Sequence, residues 1–81
     1  MNIQISTPEN PRKPELRILR LDEVKKMVGL SRSAIYDRMD PKSKRYDATF
    51  PKQVNLGGSA VGWLKHEIED WIHLQMLKRH S

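Results

Sequence analysis

The sequence predicts a small, mostly helical α+β domain in which two short helices joined by a tight turn precede a β-hairpin and a third helix. Apolar residues recur at steps of three and four between positions 21 and 39, with a glycine between two such runs. Apolar and polar residues then alternate on both sides of Gly57-Gly58, and helical spacing returns after position 64. This order of elements is typical of a winged helix-turn-helix with three helices and a two-stranded hairpin wing.

The first helix is predicted to begin at Leu21 and to end before Gly29. Acidic residues at positions 22 and 23 fall in its first turn, where negative charge suits the helix dipole. Gly29 stands where helices commonly end in the left-handed conformation, which glycine adopts without a steric penalty from a Cβ atom. Leu30 is then expected to turn back into the core. The residues that share the apolar face of this helix are Leu21, Val24, Met27 and Val28.

The second helix is predicted to follow Ser31, a residue type that favours the N-cap position. Its inward face is expected to carry Ala34, Ile35 and Met39. When a helix-turn-helix binds DNA, the N-terminal part of its second helix meets the base edges in the major groove. The side chains left for that role on the outward face are Arg32, Ser33, Tyr36 and Asp37.

The basic charge of the chain is concentrated in the same region. The formal net charge is +5 and the pI is near 9.8. Residues 1–16 and residues 53–81 are each balanced, whereas ten Lys and Arg face five Asp and Glu between Arg17 and Lys52. A basic surface attracts phosphates and gives salt-dependent binding to nucleic acid. Because the excess coincides with the helix-turn-helix, double-stranded DNA is the predicted partner.

A wing is predicted after Pro41, which ends the second helix. Residues 41–47 are a polar, charged loop. The alternation from Gln53 to Leu56 indicates a half-buried strand, and Gly57-Gly58 permits the turn into a second strand.

The third helix is predicted from about Leu64 to Arg79, with acidic residues early and basic residues late, as the helix dipole favours. Both tryptophans, Trp63 and Trp71, are expected in the core because a small domain needs their buried area. The predicted core-facing stripe of the helix comprises Leu64, Ile68, Trp71, Ile72 and Gln75.

The candidate DNA contacts lie in the second helix, the loop that follows it and the wing. Arg32, directly after the cap, is placed to reach a guanine edge or a phosphate. Tyr36 has two interpretations, a DNA contact or a half-buried ring against Met39 with its hydroxyl in water. The loop lysines and Arg45 suit phosphate contacts and equally suit a solvated loop. The full set is Ser31, Arg32, Ser33, Tyr36, Asp37, Arg38, Lys42, Lys44, Arg45, Lys52 and Ser59.

Several short segments together carry a resemblance to a known family: RILRLDEV at 17–24, GLSRSAIY at 29–36, Phe50-Pro51, Leu56-Gly57, VGWL at 61–64, Glu67-Ile68 and DWI at 70–72. Over about residues 17–74 the chain resembles the AlpA family of prophage and genomic-island regulators. The resemblance implies a winged helix-turn-helix related to the MerR DNA-binding domain, found in bacteria and their mobile elements. It further implies a transcription regulator or an excisionase, which binds and bends attachment-site DNA, with an integrase as a candidate protein partner. Family members often carry basic residues where Asp37 and Ser59 stand here.

Length and composition favour binding over catalysis. The 81 residues supply one domain with a small core and too little chain to enclose a large substrate cavity. Cysteine is absent, which excludes a disulfide framework and a thiol nucleophile. His66, His73 and His80 recur every seven residues, so neighbours are about 10 Å apart along a helix and cannot share one zinc ion. We therefore expect neither a metal nor a cofactor.

Residues 1–15, which contain three prolines, are predicted to be a flexible N-terminal tail, and residues 16–81 the winged helix-turn-helix domain. No apolar run approaches the about 20 residues of a membrane span, and the N-terminus lacks the apolar core of a signal peptide. The expected location is the bacterial cytoplasm, at the nucleoid.

Two classes of function remain open at this point. One is sequence-specific DNA binding as a regulator or excisionase, with cooperative self-association on DNA because a single winged helix covers a short segment. The other is a protein-interaction or antitoxin-like adaptor that uses an edge formed by Leu74 and Leu77. Salt-dependent binding to duplex DNA distinguishes the first from the second.

Overall fold

The computed structural model of the chain describes residues 16–79, which form three helices and a three-stranded antiparallel sheet. The predicted tail at residues 1–15 and the predicted position of His80 lie outside the described residues. The predicted fold class, a mostly helical α+β winged helix-turn-helix, is confirmed. In chain order the elements are β1 (Ile18–Leu19), α1 (Leu21–Val28), α2 (Arg32–Met39), β2 (Val54–Gly57), β3 (Ala60–Leu64) and α3 (Lys65–Lys78).

The turn between α1 and α2 is the one that the sequence predicts. Gly29 has a φ of 71°, and its N–H donates to the carbonyl of Lys25 at 2.8 Å. Ser31 caps α2, because its Oγ accepts a hydrogen bond from the N–H of Ala34 at 3.1 Å. Each of these helices has only eight residues, too few to be stable alone, so the caps and the packing of their apolar faces hold them in place.

The wing is the hairpin of β2 and β3, in which Val54 pairs with Gly62 and the chain turns at Gly58-Ser59. The sequence does not predict β1, which pairs antiparallel with β3 and gives the sheet order β1-β3-β2. A strand of two residues is too short to show an alternating pattern, so only the pairing with β3 reveals it.

Gly62 allows β1 to approach β3 closely. A Cβ atom at this position would lie 2.9 Å from the carbonyl oxygen of Leu19 and would collide with the side chain of Ile18. The register that results pairs Leu19 with Trp63, so a buried residue of β1 lies beside a buried residue of β3. Gly62 is therefore a packing requirement of the sheet.

The core gathers residues from all three helices, from β1 and β3 and from the loop before the wing. Trp63 is fully buried, and Trp71 packs edge to face against Phe50 with ring centroids 5.0 Å apart. The predicted burial of both tryptophans is confirmed. The buried apolar residues are Leu19, Val24, Ile35, Phe50, Trp63, Ile68 and Trp71.

The prediction that Met27 lies on the buried face of α1 is wrong. Met27 is 36% exposed, whereas Leu21 and Val28 of the same helix pack against the core. The reason lies in the tertiary packing of the helices. The C-terminal ends of α1 and α3 leave an open groove between them, and Met27 and Met76 line this groove. Helical spacing alone does not show which residues of a helix are packed against a neighbouring helix.

Between residues 16 and 79 there is no helix long and apolar enough to cross a membrane.

Candidate nucleic-acid interface

The first turn of α2 presents polar side chains to solvent. Ser31, Arg32 and Ser33 are exposed, while Ile35 of the same helix is fully buried and fixes the rotation of the helix against the core. The Oγ of Ser31 accepts a bond from the backbone of the helix and its hydroxyl can still donate, so Ser31, Arg32 and Ser33 all carry side-chain donors on this turn. This is the part of the second helix that the sequence predicts as the reader of base edges.

Tyr36 connects this turn to the wing. The guanidinium carbon of Arg32 lies 5.4 Å from the centroid of the Tyr36 ring, within cation–π range. The ring meets Trp63 edge to face at 6.4 Å, and the hydroxyl accepts a hydrogen bond from Nε2 of Gln53 at 3.0 Å. Tyr36 is therefore half-buried, with Trp63 of the wing as its aromatic partner and Gln53, the residue before β2, on its hydroxyl. Its ring restricts where the side chain of Arg32 can lie.

The last turn of α2 holds one acidic and one basic candidate. Asp37 lies 3.6 Å from Arg45 of the following loop, in an exposed ion pair that contributes little to stability. Nη1 of Arg38 donates to the carbonyl of Ala34 at 2.9 Å, which holds the guanidinium along the helix. Within the domain, Asp37 lies beside Arg45, and Arg38 keeps further N–H donors for other partners.

Side-chain-to-backbone bonds shape the loop between α2 and β2. Oδ1 of Asp40 accepts from the N–H of Lys42 at 2.9 Å, and Oγ of Ser43 accepts from the N–H of Arg45 at 3.1 Å. Such local bonds are the usual means by which Asp and Ser stabilise turns. The side chains of Lys42, Lys44 and Arg45 are left exposed on this loop.

Asp47 ties the loop to α3, a role that no sequence pattern indicates. Its Oδ2 accepts from Nε1 of Trp71 at 3.0 Å, and its Oδ1 accepts from both the N–H and the hydroxyl of Thr49. Burial would raise the pKa of Asp47, but the hydrogen bonds from Thr49 and Trp71 and the positive charge of Lys78 outweigh it and lower the pKa. Asp47 is therefore an ionised acceptor at neutral pH.

The predicted contact residues fall on separate surfaces. Ser31, Arg32, Ser33 and Tyr36 lie together at the start of α2, and Ser59 is exposed at the turn of the wing. Lys52 is exposed after the buried Pro51 and lines a groove with Glu67 and Asp70 of α3. Arg38, Lys44 and Arg45 line one cleft, and Lys78 of α3 joins them there. The sequence assigns Lys78 only to the helix dipole, because nothing in its spacing links it to the distant loop.

Capped helices joined by a glycine turn, an exposed polar turn at the start of the second helix and a hairpin wing define the winged helix-turn-helix class. The comparison with protein families agrees: the model described as "Prophage CP4-57 regulatory protein (AlpA)" matches residues 17–76. The chain belongs to the AlpA family, and the resemblance noted in its sequence is confirmed.

Two known proteins are similar to the matched region. One, from Escherichia coli (strain K12), is named "DNA-binding transcriptional activator AlpA" and is 53% identical over 57 residues, which are 70% of this chain and 81% of the relative. The other, "Uncharacterized protein ORF88" of Enterobacteria phage P4, is 43% identical over 56 residues, which are 69% of this chain and 57% of the relative. No solved structure is a significant match.

Proposed function

We propose that this protein binds double-stranded DNA in a sequence-specific manner and regulates transcription from a prophage or an integrated mobile element. The first turn of α2 enters the major groove, where Arg32 and Ser33 meet base edges, and Arg38, Lys42, Lys44, Arg45 and Lys52 neutralise phosphates. Ser59, at the turn of the wing, lies at the DNA backbone. Asp37 positions Arg45. In this proposal the protein binds DNA and catalyses no reaction. It acts in the bacterial cytoplasm, at the nucleoid.

The observation that carries this proposal is the placement of Arg32 at the exposed start of α2, against the ring of Tyr36. A capped helix start presents it to solvent, the ring of Tyr36 lies beneath it, and Trp63 and Gln53 hold that ring. A long side chain that is restrained before binding loses less conformational entropy when it meets a base. The relative named as a DNA-binding transcriptional activator supports the same function.

We expect binding to duplex DNA whose log affinity falls linearly with log salt, with a slope of about −4.5 to −5.4 if about five or six phosphates are neutralised. The measurement is a fluorescence anisotropy titration on fragments from the vicinity of its own gene at several salt concentrations. An unrelated duplex of equal length is the control, and it should show a steep slope at a lower affinity.

Absence of binding to every such fragment at low salt would refute the proposal. It would also favour the alternative of a protein-interaction adaptor, which needs no phosphate contacts.

Within the proposed role, promoter regulation and excision of the element use the same DNA-binding surface. The name of the activator relative favours promoter regulation. Excision requires bent attachment-site DNA and an integrase as a protein partner, whereas promoter regulators also bend DNA. The two roles are therefore separated by gel mobility of circularly permuted fragments that carry either the attachment site or the promoter, and bending of the attachment site alone supports the excisionase role.

We further propose that two or more copies load cooperatively on adjacent DNA sites, while the free protein is a monomer at micromolar concentration. An apolar edge at the end of α3 supports contact between copies, because Leu77 is 69% exposed and Met76 is also exposed. Leu74, the other residue of the predicted edge, is half-buried beside Trp71 and adds less to it.

This association predicts a stoichiometry that grows with the length of the DNA. Sedimentation velocity of the free protein should give a monomer, and titration on longer duplexes should show sigmoidal binding of several copies. Leu77→Ala should reduce the cooperativity and leave the affinity for a single site unchanged. A stable free dimer, or one-to-one binding at every length, would contradict the proposal.

A further inference from the structure

A cleft between the loop after α2 and the C-terminal half of α3 gathers positive charge from three parts of the fold. Arg38 comes from α2, Lys44 and Arg45 from the loop, and Lys78 from the last turn of α3. One carboxylate, Asp47, lines the same cleft. The excess among these lining residues is therefore three positive charges, and Lys78 is far in sequence from the other three cations.

The carboxylate in the cleft does not pair with these cations. Its two oxygens accept hydrogen bonds from Trp71 and Thr49, which are neutral donors. Within residues 16–79, neither Lys44 nor Lys78 takes part in an ion pair. Asp47 thus anchors the wall of the cleft through neutral donors. The charge of Lys78 acts on Asp47 from beyond ion-pair distance and lowers its pKa, and the cleft keeps a net positive charge.

The remaining two cations are partly positioned in advance. Arg38 is held by its bond to the carbonyl of Ala34, which occupies one of its five N–H donors. Arg45 lies near Asp37 in an exposed pair that a stronger anion can replace. Two guanidinium groups and two ammonium groups around one opening suit a compact anion with several acceptor oxygens.

We propose that this cleft is a phosphate-binding site, with Lys78 as a ligand contributed by α3. The phosphate group belongs either to the DNA backbone beside the segment read by α2 or to a free phosphate compound. The measurement of duplex affinity described below rests on the function proposed above, whereas the titration with inorganic phosphate does not. In either case the C-terminal turn of α3 belongs to the anion-binding surface.

The first experiment titrates inorganic phosphate into the free protein. We expect its Tm to rise by roughly 4–8 °C when the phosphate concentration is about five times the dissociation constant. This rise is counted beyond any rise in sodium chloride of equal ionic strength. Amide resonances of Lys44, Arg45 and Lys78 should shift in the same titration. Phosphate also stabilises proteins without binding, because it is excluded from their surface. The rise in Tm is therefore compared with that of Lys78→Gln, in which the part due to binding in the cleft should be lost.

Lys65→Gln is the matched control. It removes the same charge from the same helix, about 20 Å from Lys78 along the helix axis. Lys65 lies near Glu69, with Nζ and Oε2 4.0 Å apart, at the opposite end of α3 from the cleft. The response to phosphate should be retained in this variant.

The second experiment measures duplex affinity against salt for both variants. If the phosphate belongs to DNA, Lys78→Gln should lower the salt slope by about 0.9 and weaken binding about fivefold to tenfold near 0.1 M salt, with Lys65→Gln closer to the unmodified protein. An unchanged slope together with lost phosphate binding would assign the cleft to a free phosphate compound. If the two variants are indistinguishable in both experiments, the proposed site is refuted, whether or not the protein binds DNA.

Discussion

Trp71→Ala is expected to lower the free energy of unfolding by about 3–5 kcal/mol, the usual cost of deleting a large buried aromatic side chain. Trp71 is only 8% exposed, packs edge to face on Phe50 and donates a hydrogen bond to Asp47. Its loss opens a cavity and releases the loop from α3 at the same time. Proteins have a total stability of about 5–15 kcal/mol, so a domain at the lower end of that range would be partly unfolded at room temperature after this loss.

Chemical denaturation followed by circular dichroism measures this effect. The control is Leu77→Ala, which removes an apolar side chain of α3 that is 69% exposed and should change stability by no more than about 0.5 kcal/mol. Equal unfolding curves for the two variants would show that the last helix packs through a different face.

Arg32→Ala has the second largest expected effect, a loss of about 1–3 kcal/mol in specific DNA binding, or about 5- to 150-fold in affinity. The reason is that Arg32 stands at the exposed start of α2, where the proposed function places the base contacts, with its guanidinium against the ring of Tyr36. Preference at one base position should be relaxed, while binding to unrelated DNA should fall far less.

Lys44→Ala is the comparison variant for this prediction. Lys44 lies on the loop after α2 and is assigned to a phosphate, so its loss should weaken binding to all sequences similarly and reduce the salt slope. Competition assays with specific and random duplexes measure both effects. If the two variants lower specific and random binding equally, Arg32 has no role in reading sequence.

The helix-turn-helix could be predicted in detail because its signals are local. Gly29 as the left-handed cap, Ser31 as the N-cap and the two core tryptophans are each marked by residue type and spacing, and the structure confirms all of them. The predicted strand before the wing turn is also present, although Leu56 is exposed where alternation predicts half-burial. At Leu56 the wing extends beyond the core, and an alternating pattern does not show which residues of a strand are covered by other elements.

The features that could not be predicted depend on contacts between distant segments. β1 exists because two residues pair with β3 across Gly62, and Asp47 matters because Trp71 of α3 reaches it. Lys78 joins the loop cations only when α3 packs against the loop. A single sequence carries no periodic signal for such pairings. For the same reason, the two interpretations of Tyr36 could be weighed only once its ring and hydroxyl partners were visible.

The most direct test of the central claim is selection of duplexes from a random-sequence pool by the full chain, at a salt concentration near physiological. If the first turn of α2 reads bases, successive rounds should enrich one motif, and the selected duplex should bind at least about 10³-fold more tightly than a scrambled duplex of equal length. Selection with Arg32→Ala should return the same motif with one base position no longer specified. Recovery of no motif, together with equal affinity for selected and scrambled duplexes, would contradict the proposed function.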